Sequence, residues 1–245
     1  MLILVIDGTL KPGVAWKETD IMTKKKAIID DGMNPELVSG AFFDGILEIP
    51  IVHKPNELII PLGITPFSKR KRIQNEKEAI GFYEHDGEFA DLLSAPYEYV
   101  DELKKHIVIS PDCSMYRNAP LAAQITNLYR NRAIGVFLQR HGVYVIPQVR
   151  WGNELTYTTR VFHERIAFLG VEQNSIVAIG TYGCIDGFEN KYHFEAGLDA
   201  MLQTLLPQIV LVYGAMPEKI FSPFSQKTHF VHYPDWITRK KGGEE

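Results

Sequence analysis

The residues from His106 to Ile125, HIVISPDCSMYRNAPLAAQI, combine an apolar run with a dense group of hydrogen-bonding side chains. Asp112, Tyr116 and Arg117 follow the apolar run and precede a helical pattern. In parallel α/β proteins, side chains just past the end of a strand line the ligand site. A carboxyl group can transfer a proton, and a guanidinium group can hold an anion. We therefore expect this stretch to form one wall of a pocket for a small anionic ligand.

Polar and aromatic side chains also follow other predicted strands. We expect Asp112 and Arg150 to be the catalytic pair, with Asp112 as a general acid–base or as the partner of Arg150, and Arg150 as an anion clamp. Trp151 or Tyr213 has the type of ring that stacks on a ligand. The full set of expected substrate contacts is His85, Asp86, Tyr116, Arg117, Gln148, Trp151, Thr181 and Tyr213. The alternative for the whole set is a salt-bridged polar layer that closes the end of a barrel and binds nothing.

Other motifs give weaker indications. Cys184 is a nucleophile only beside a base, and no sequence feature supplies one. YEHDGEF (83–89) offers ligands for a hard cation, but helix capping is the simpler role for Asp86, so we expect no metal site. Both common glycine-rich nucleotide motifs are absent from the sequence, and we expect no cofactor. SKRKRIQNEK (68–77) favours a solvated loop over a phosphate contact, because few aromatic residues interleave with it.

Composition limits the class of protein. The 245 residues have a formal net charge of −4, which excludes a global polyanion-binding surface but permits a local basic patch. Two cysteines are too few for a disulfide scaffold and indicate a reducing compartment. The opening run MLILVI is too short for a signal peptide, and no apolar run reaches about 18 residues, so we expect a cytoplasmic protein without a membrane partner. Nothing in the composition predicts the oligomeric state.

The elements that must position these side chains are eight short apolar runs. They are ILEIPIV (46–52), LIIPLG (58–63), AIGFYE (79–84), HIVIS (106–110), VYVIPQV (143–149), SIVAIGT (175–181), IVLVYG (209–214) and HFVHYP (229–234). Continuous apolar runs are typical of strands covered on both faces, as in parallel sheets. One helical pattern begins after Pro120 and ends at Gly142. A second helical pattern ends at Pro207.

These patterns predict an α/β fold with a mainly parallel sheet of about eight strands, arranged as an irregular TIM-type barrel. The link HKPNE is too short for a helical crossover, which favours an irregular barrel or an open sheet. We expect an N-terminal extension over 1–41, a single α/β domain over 42–236 and a flexible tail over 237–245.

Three motifs, in this order, carry a resemblance to a known family. They are PDCSMY (111–116), QITNLYRNR (124–132) and VIPQVRW (145–151). With the segments around them, over roughly residues 42–225, the chain resembles the DUF4417 family, whose usual motifs are P-D-[FY]-S-x-Y, Q-x-x-N-x-Y-R-x-R and V-I-P-x-V-x-W. Cys113 departs from the usual aromatic residue. The resemblance implies no particular reaction. It implies an origin in phages, plasmids or other mobile elements, and so a role in nucleic-acid or nucleotide metabolism or in interference with host defence.

The sequence leaves three functions open. The first is a hydrolase or transferase with a strand-end pocket for a phosphorylated or nucleotide-like substrate. The second is a non-catalytic protein that binds nucleic acid or a nucleotide through the same pocket or the basic run. The third is a module that interacts with a host factor.

Overall fold

Seven parallel strands in two sheets form the framework of the protein in a computed structural model that describes residues 34–241. The first sheet has the order β3 (Ile64–Pro66), β4 (Ala79–Gly81), β5 (Ile107–Ile109) and β6 (Tyr144–Ile146). The second has the order β7 (Ile176–Gly180), β8 (Ile209–Tyr213) and β9 (His229–Tyr233). The prediction of an α/β fold with parallel sheets is confirmed.

The two sheets meet just after β6. The Val149 N–H donates to the Ala178 carbonyl at 2.8 Å, and the Ala178 N–H donates to the Pro147 carbonyl at 3.0 Å. The seven strands therefore follow one another in space in chain order, as expected of successive parallel crossovers.

The predicted count of eight strands and the TIM-type barrel are not confirmed. Residues 46–52 contribute β2 (Ile49–Pro50), which pairs antiparallel with β1 (Phe43–Asp44), and the 58–63 run precedes β3 without forming a strand. Within residues 34–241, no backbone pairing joins β9 to β3, so the sheet does not close. Side chains cross this gap instead, as where the Tyr233 hydroxyl donates to the Pro61 carbonyl at 2.6 Å.

Two long helices cover the strands. They are α3 (Leu121–Arg140), which begins after Pro120 and ends before Gly142, and α5 (Gly187–Leu205), which begins earlier than its predicted pattern. Gly142 has a φ of +81°, which glycine adopts without strain. The short helices are α1 (Ala90–Ser94), α2 (Val100–Leu103), α4 (Glu154–Tyr157), α6 (Glu218–Phe221) and α7 (Trp236–Lys241). Short 3₁₀ helices span Pro35–Val38, Phe67–Arg72, Asp86–Phe89, Pro96–Tyr99, Ile166–Phe168 and Ser222–Phe224.

One core cluster joins the strands from within. It contains at least one buried side chain from each of the seven parallel strands, namely Ile64, Ala79, Ile107, Ile109, Ile146, Ile176, Ala178, Leu211, Tyr213 and Tyr233. Two further clusters pack mainly around α3 and α5. Because the strands are parallel, their carboxyl ends all emerge at the same end of the central cluster.

The expected terminal segments are described only in part. Residues 1–33, with MLILVI and most of the predicted extension, and residues 242–245 of the predicted tail lie outside the described residues. Leu37, within the predicted extension, is buried in the α3 core, and α7 occupies the start of the predicted tail. No helix between residues 34 and 241 is long and apolar enough to cross a membrane.

Candidate functional site

A cavity of about 840 Å³ lies at the carboxyl ends of the parallel strands. Every parallel strand contributes lining residues from its carboxyl end or from the segment that follows it. Among them are Ser68 and Lys69, Tyr83 to His85, Asp112, Ser114 to Arg117, Arg150 to Gly152, Tyr182 to Cys184, Tyr213, and Asp235 to Ile237. The volume lies within the range of small-molecule sites in proteins.

The floor of the cavity holds Asp112 and Arg150 as an ion pair. Arg150 Nε lies 3.0 Å from Asp112 Oδ1, and the side chains are 18% and 6% exposed. The pKa of Asp112 is raised to about 6, because burial raises it more than the Arg150 charge lowers it, and the nearby Asp86 carboxylate adds to the rise. Burial by itself would lower the pKa of Arg150, but Asp112 and the other groups around it outweigh burial and raise it. The pair therefore places a carboxyl group that titrates near neutral pH beside a permanently charged guanidinium.

A buried hydrogen-bond network holds Asp112 from behind. Gln148 Nε2 donates to Asp112 Oδ1 at 2.6 Å, and Asn131 Nδ2 donates to Gln148 Oε1 at 2.8 Å. Asn131 also donates to the Pro111 carbonyl at 2.6 Å and accepts from the Ser110 hydroxyl at 3.0 Å. Each of these bonds fixes the backbone or side chain that carries Asp112. Gln148, an expected substrate contact, is thus a positioning residue and does not line the cavity.

Arg132 completes this network on the side of α3. Its side chain is fully buried, with Nε donating to the Leu169 carbonyl at 3.0 Å and Nη1 to Asn131 Oδ1 at 2.6 Å and the Gln148 carbonyl at 2.7 Å. Burial lowers its pKa to about 9, which leaves it charged at neutral pH. Arg132 therefore links α3 to the ends of β6 and to the segment before β7.

The comparisons with known proteins agree with the sequence motifs. Residues 41–234 match the family described as "Domain of unknown function (DUF4417)". The chain belongs to the DUF4417 family. It is 31% identical over 139 residues to the Gene 1 protein of Mycobacterium phage L5, covering 56% of this chain and 58% of that protein. It is 28% identical over 139 residues to the Gene 1 protein of Mycobacterium phage D29, covering 56% of this chain and 49% of that protein. The matched region spans about half of each relative. No solved structure matches the chain.

The three DUF4417 motifs converge on the cavity. The first provides Asp112 and Ser114, and the third provides β6 and then Trp151. The second lies on α3, where Asn127 Nδ2 donates to the Ser114 carbonyl at 2.5 Å and Gln124 Nε2 donates to the Ala119 carbonyl at 2.8 Å. The α3 motif therefore fixes the loop between β5 and α3, which forms the wall expected from the sequence.

Tyr83 is a cavity residue that the sequence analysis missed. Its ring stacks on Tyr213, with centroids 4.7 Å apart and planes inclined by 11°. Its hydroxyl is buried, and residues 34–241 offer it no hydrogen-bond partner. Burial, and then the charge of Asp112, raise the pKa of Tyr83, so the group is a neutral donor. A Cβ at Gly180 would lie 2.6 Å from Tyr83 Cδ1, so a glycine in β7 gives the ring its space.

Trp151 forms the wall toward α5. Its Nε1–H donates to the His193 carbonyl at 3.0 Å, and its ring lies 5.4 Å from that of Phe194. A Cβ at Gly197 would lie 2.1 Å from Trp151 Nε1. Asn190, His193 and Phe194 line the cavity but were not predicted, although their i, i+3, i+4 spacing places them on one face of α5.

Some of the remaining predicted residues line the cavity, and the others lie behind the residues that line it. His85 and the exposed Tyr116 line the cavity, as does Arg117, whose Nη2 pairs with Glu189 Oε2 at 2.8 Å. Asp86 and Thr181 do not line it.

Asp86 and Thr181, which do not line the cavity, form hydrogen bonds to other residues of the protein. Asp86 was interpreted as a helix cap, but that is wrong, because its 3₁₀ helix has no side-chain cap. Its carboxylate instead accepts from the Ser114 hydroxyl at 2.7 Å and the Ser114 N–H at 3.2 Å. The buried Thr181 hydroxyl donates to the Tyr213 carbonyl at 3.3 Å.

The Cys184 thiol lies beside the Arg150 guanidinium in the cavity. Arg150 Nη2 lies 3.4 Å from its sulfur, yet burial raises the pKa of the Cys184 thiol more than Arg150 lowers it. The group is therefore a neutral thiol at neutral pH. Among residues 34–241, no cluster of three or more His, Cys, Asp or Glu side chains is arranged to hold a metal ion.

Proposed function

We propose that the cavity binds a nucleotide-like anion and that Asp112 acts on it as a general acid–base, in a hydrolysis or a group transfer. The observation that carries the proposal is the buried Asp112–Arg150 pair on the floor of a cavity large enough for such a ligand. Strongly perturbed carboxyl groups in a cleft are typical of functional sites.

The walls favour a ligand with a ring. Tyr83, Tyr213, Trp151 and Phe194 line the cavity with aromatic surface. The unpartnered Tyr83 hydroxyl is a donor that a ligand oxygen or ring nitrogen would satisfy, since a buried hydroxyl without a partner costs free energy. Aromatic faces with a few convergent polar groups are typical of small-molecule sites.

The floor favours an anionic or strongly polarised group. Arg150 Nε pairs with Asp112, and Arg150 Nη2 donates to Cys184 Sγ. Within residues 34–241, Arg150 Nη1 has no hydrogen-bond partner. Nη1 is therefore the atom we assign to the ligand anion. Asp112 uses Oδ1 for Arg150 and Gln148, and its Oδ2 is assigned to proton transfer.

The proposed chemistry follows from the pKa of Asp112. At neutral pH the ionised carboxylate accepts a proton from a water molecule or hydroxyl group as it attacks the substrate, and then returns a proton to the leaving group. We propose that the reaction takes place in the cytoplasm, in the nucleic-acid or nucleotide metabolism of a phage or another mobile element. The free thiols of Cys113 and Cys184 fit a reducing compartment, and the two phage relatives fit this context.

A turnover assay with a panel of nucleoside mono-, di- and triphosphates, followed by chromatography of the products, tests the proposal. Asp112→Asn should lower kcat by about 10²-fold or more, the usual contribution of general acid–base catalysis. The control is Asp101→Asn, an exposed carboxylate in α2, near the amino end of β5, which should leave kcat unchanged.

Two results would contradict catalysis. Conversion that is equally fast in the Asp112→Asn variant would remove Asp112 from the mechanism. Binding without turnover that survives Asp112→Asn but is lost in Arg150→Ala would support the non-catalytic alternative, in which the same cavity recognises a nucleotide.

A further inference from the structure

Three large aromatic side chains stand exposed around one side of the cavity mouth. Tyr116, Tyr182 and Phe188 are 64%, 77% and 86% exposed. Tyr116 and Tyr182 line the cavity, and Phe188 lies in the first turn of α5, next to the Glu189 that holds Arg117. Large exposed apolar groups that cluster at a cleft indicate an interaction surface.

Exposed lysine and arginine side chains lie on the other side of the cavity mouth. The 3₁₀ helix Phe67–Arg72 follows β3 and presents Lys69, Lys71 and Arg72 as exposed side chains, with Lys69 lining the cavity. Within residues 34–241, none of these three exposed cations has a carboxylate partner. In a chain of net charge −4, this is a local basic patch.

The carboxylates near the patch are mostly engaged in local bonds. Glu84 accepts from the Ser68 N–H at 3.0 Å and from the Ser68 hydroxyl. Asp235 accepts from the Thr238 hydroxyl at 2.7 Å and caps the start of α7. Glu88 is the exposed carboxylate of the lining. The unpaired surface charge at this side of the mouth is therefore mainly positive.

We infer that the mouth binds single-stranded nucleic acid, with successive bases on the aromatic side and phosphates on the basic patch. This inference rests on the proposed function, because one nucleotide of the strand would enter the cavity. Exposed aromatic side chains stack on bases of either DNA or RNA, whereas the bases of a duplex are not available to them. Lysine and arginine side chains without carboxylate partners are the groups that bind phosphates along a strand.

Fluorescence anisotropy with labelled oligothymidylate and oligouridylate, each about twelve nucleotides long, tests the inference. The full chain should bind one or both strands, with an affinity that falls as salt rises. Lys71→Ala with Arg72→Ala should reduce the slope of log K against log salt by about 0.7 for each lost phosphate contact. The control is Lys54→Ala with Arg140→Ala, an exposed lysine and arginine near the carboxyl end of α3, which should leave the slope unchanged.

The aromatic side is tested at low salt. Tyr116→Ala and Phe188→Ala should each weaken binding between about fivefold and about a hundredfold, the range of one stacked base. The control is Tyr97→Ala, an exposed tyrosine that packs on Phe137 and His141 near the end of α3.

Each outcome decides for or against the inference. Binding of the strands that weakens with the rim variants, and not with the controls, supports it, and the stronger strand identifies DNA or RNA. Absence of strand binding, or equal weakening by the control variants, would overturn it. Mononucleotide binding lost in Arg150→Ala would then still support the proposed function, so the two proposals fail separately.

Discussion

Replacing Asp112 by asparagine should change how stability depends on pH, and the structure gives the size of the change. In the folded protein the pKa of Asp112 is raised from 3.8 to about 6, the net result of burial, which raises it most, of Arg150, which lowers it, and of Asp86, which raises it. Asp112 is only 5% exposed, so little solvent screening applies. A difference of this size between the folded and unfolded states corresponds to about 3 kcal/mol.

The sign follows from which state holds the proton more tightly. Because the pKa is higher in the folded state, that state binds more protons than the unfolded state between pH 3.8 and about 6. The stability that Asp112 contributes is therefore fully present below pH 3.8 and is lost as the pH rises through about 6. The amide of Asp112→Asn does not titrate, and the variant escapes this loss. Relative to the wild type, the variant should gain about 3 kcal/mol across this interval.

Urea unfolding of the wild type and of Asp112→Asn at a series of pH values measures the difference in their free energies of unfolding. The contributions of the other titrating groups cancel in that difference. Glu172→Gln is the control, because the pKa of Glu172 is shifted in the opposite direction. Burial acts to raise the pKa of Glu172, but bonds from the Lys54 N–H and His53 outweigh burial and lower it. That carboxylate stabilises the fold at neutral pH, and its contribution is lost as the pH falls. A difference for Asp112→Asn that stays flat, or favours the wild type as the pH rises, would show that the Arg150 pair dominates over burial and would refute the reasoning.

Three further outcomes test the packing around the cavity. Asn131→Ala should lower the free energy of unfolding by about 3 kcal/mol in urea titrations, because it leaves several buried partners unsatisfied. Gly180→Ala should cost about 1–3 kcal/mol and reduce nucleotide binding, measured by calorimetry, since its Cβ would displace the Tyr83 ring. Gly87→Ala, which meets nothing within 4 Å, should do neither. Cys184 should react with iodoacetamide more slowly than free cysteine at mildly alkaline pH, measured by mass spectrometry, because its pKa is raised.

The parallel α/β class was predictable because its strands are continuous apolar runs, but the closure of the sheet was not. Run 46–52 contains the second strand of a hairpin, and Asp44–Gly45 before it is a common turn signal that the sequence analysis passed over. Gly45 has a φ of +66°, as such a turn needs. In run 58–63, Pro61 has no N–H to donate to a ladder, and pairing begins only at Ile64.

The position of Asp112 and Arg150 at the strand ends was predictable, because each follows one of the apolar runs, HIVIS (106–110) and VYVIPQV (143–149). Tyr83 was missed because it lies within an apolar run, and β4 ends two residues earlier, at Gly81. Gln148 was placed in the site, but successive side chains of an extended segment point to opposite sides, and Gln148 points toward Asn131 on α3. Such alternation depends on the exact end of each strand, which the sequence does not fix to one residue.

Native mass spectrometry of the wild type and of Arg150→Ala, each mixed with the same panel of nucleotides, decides whether the cavity is a nucleotide site. We expect the wild type to retain one nucleotide per chain and Arg150→Ala to retain none, while both show the same charge-state distribution of a folded protein. Retention of no nucleotide by the wild type, or equal retention by both proteins, would contradict a nucleotide site built on Arg150.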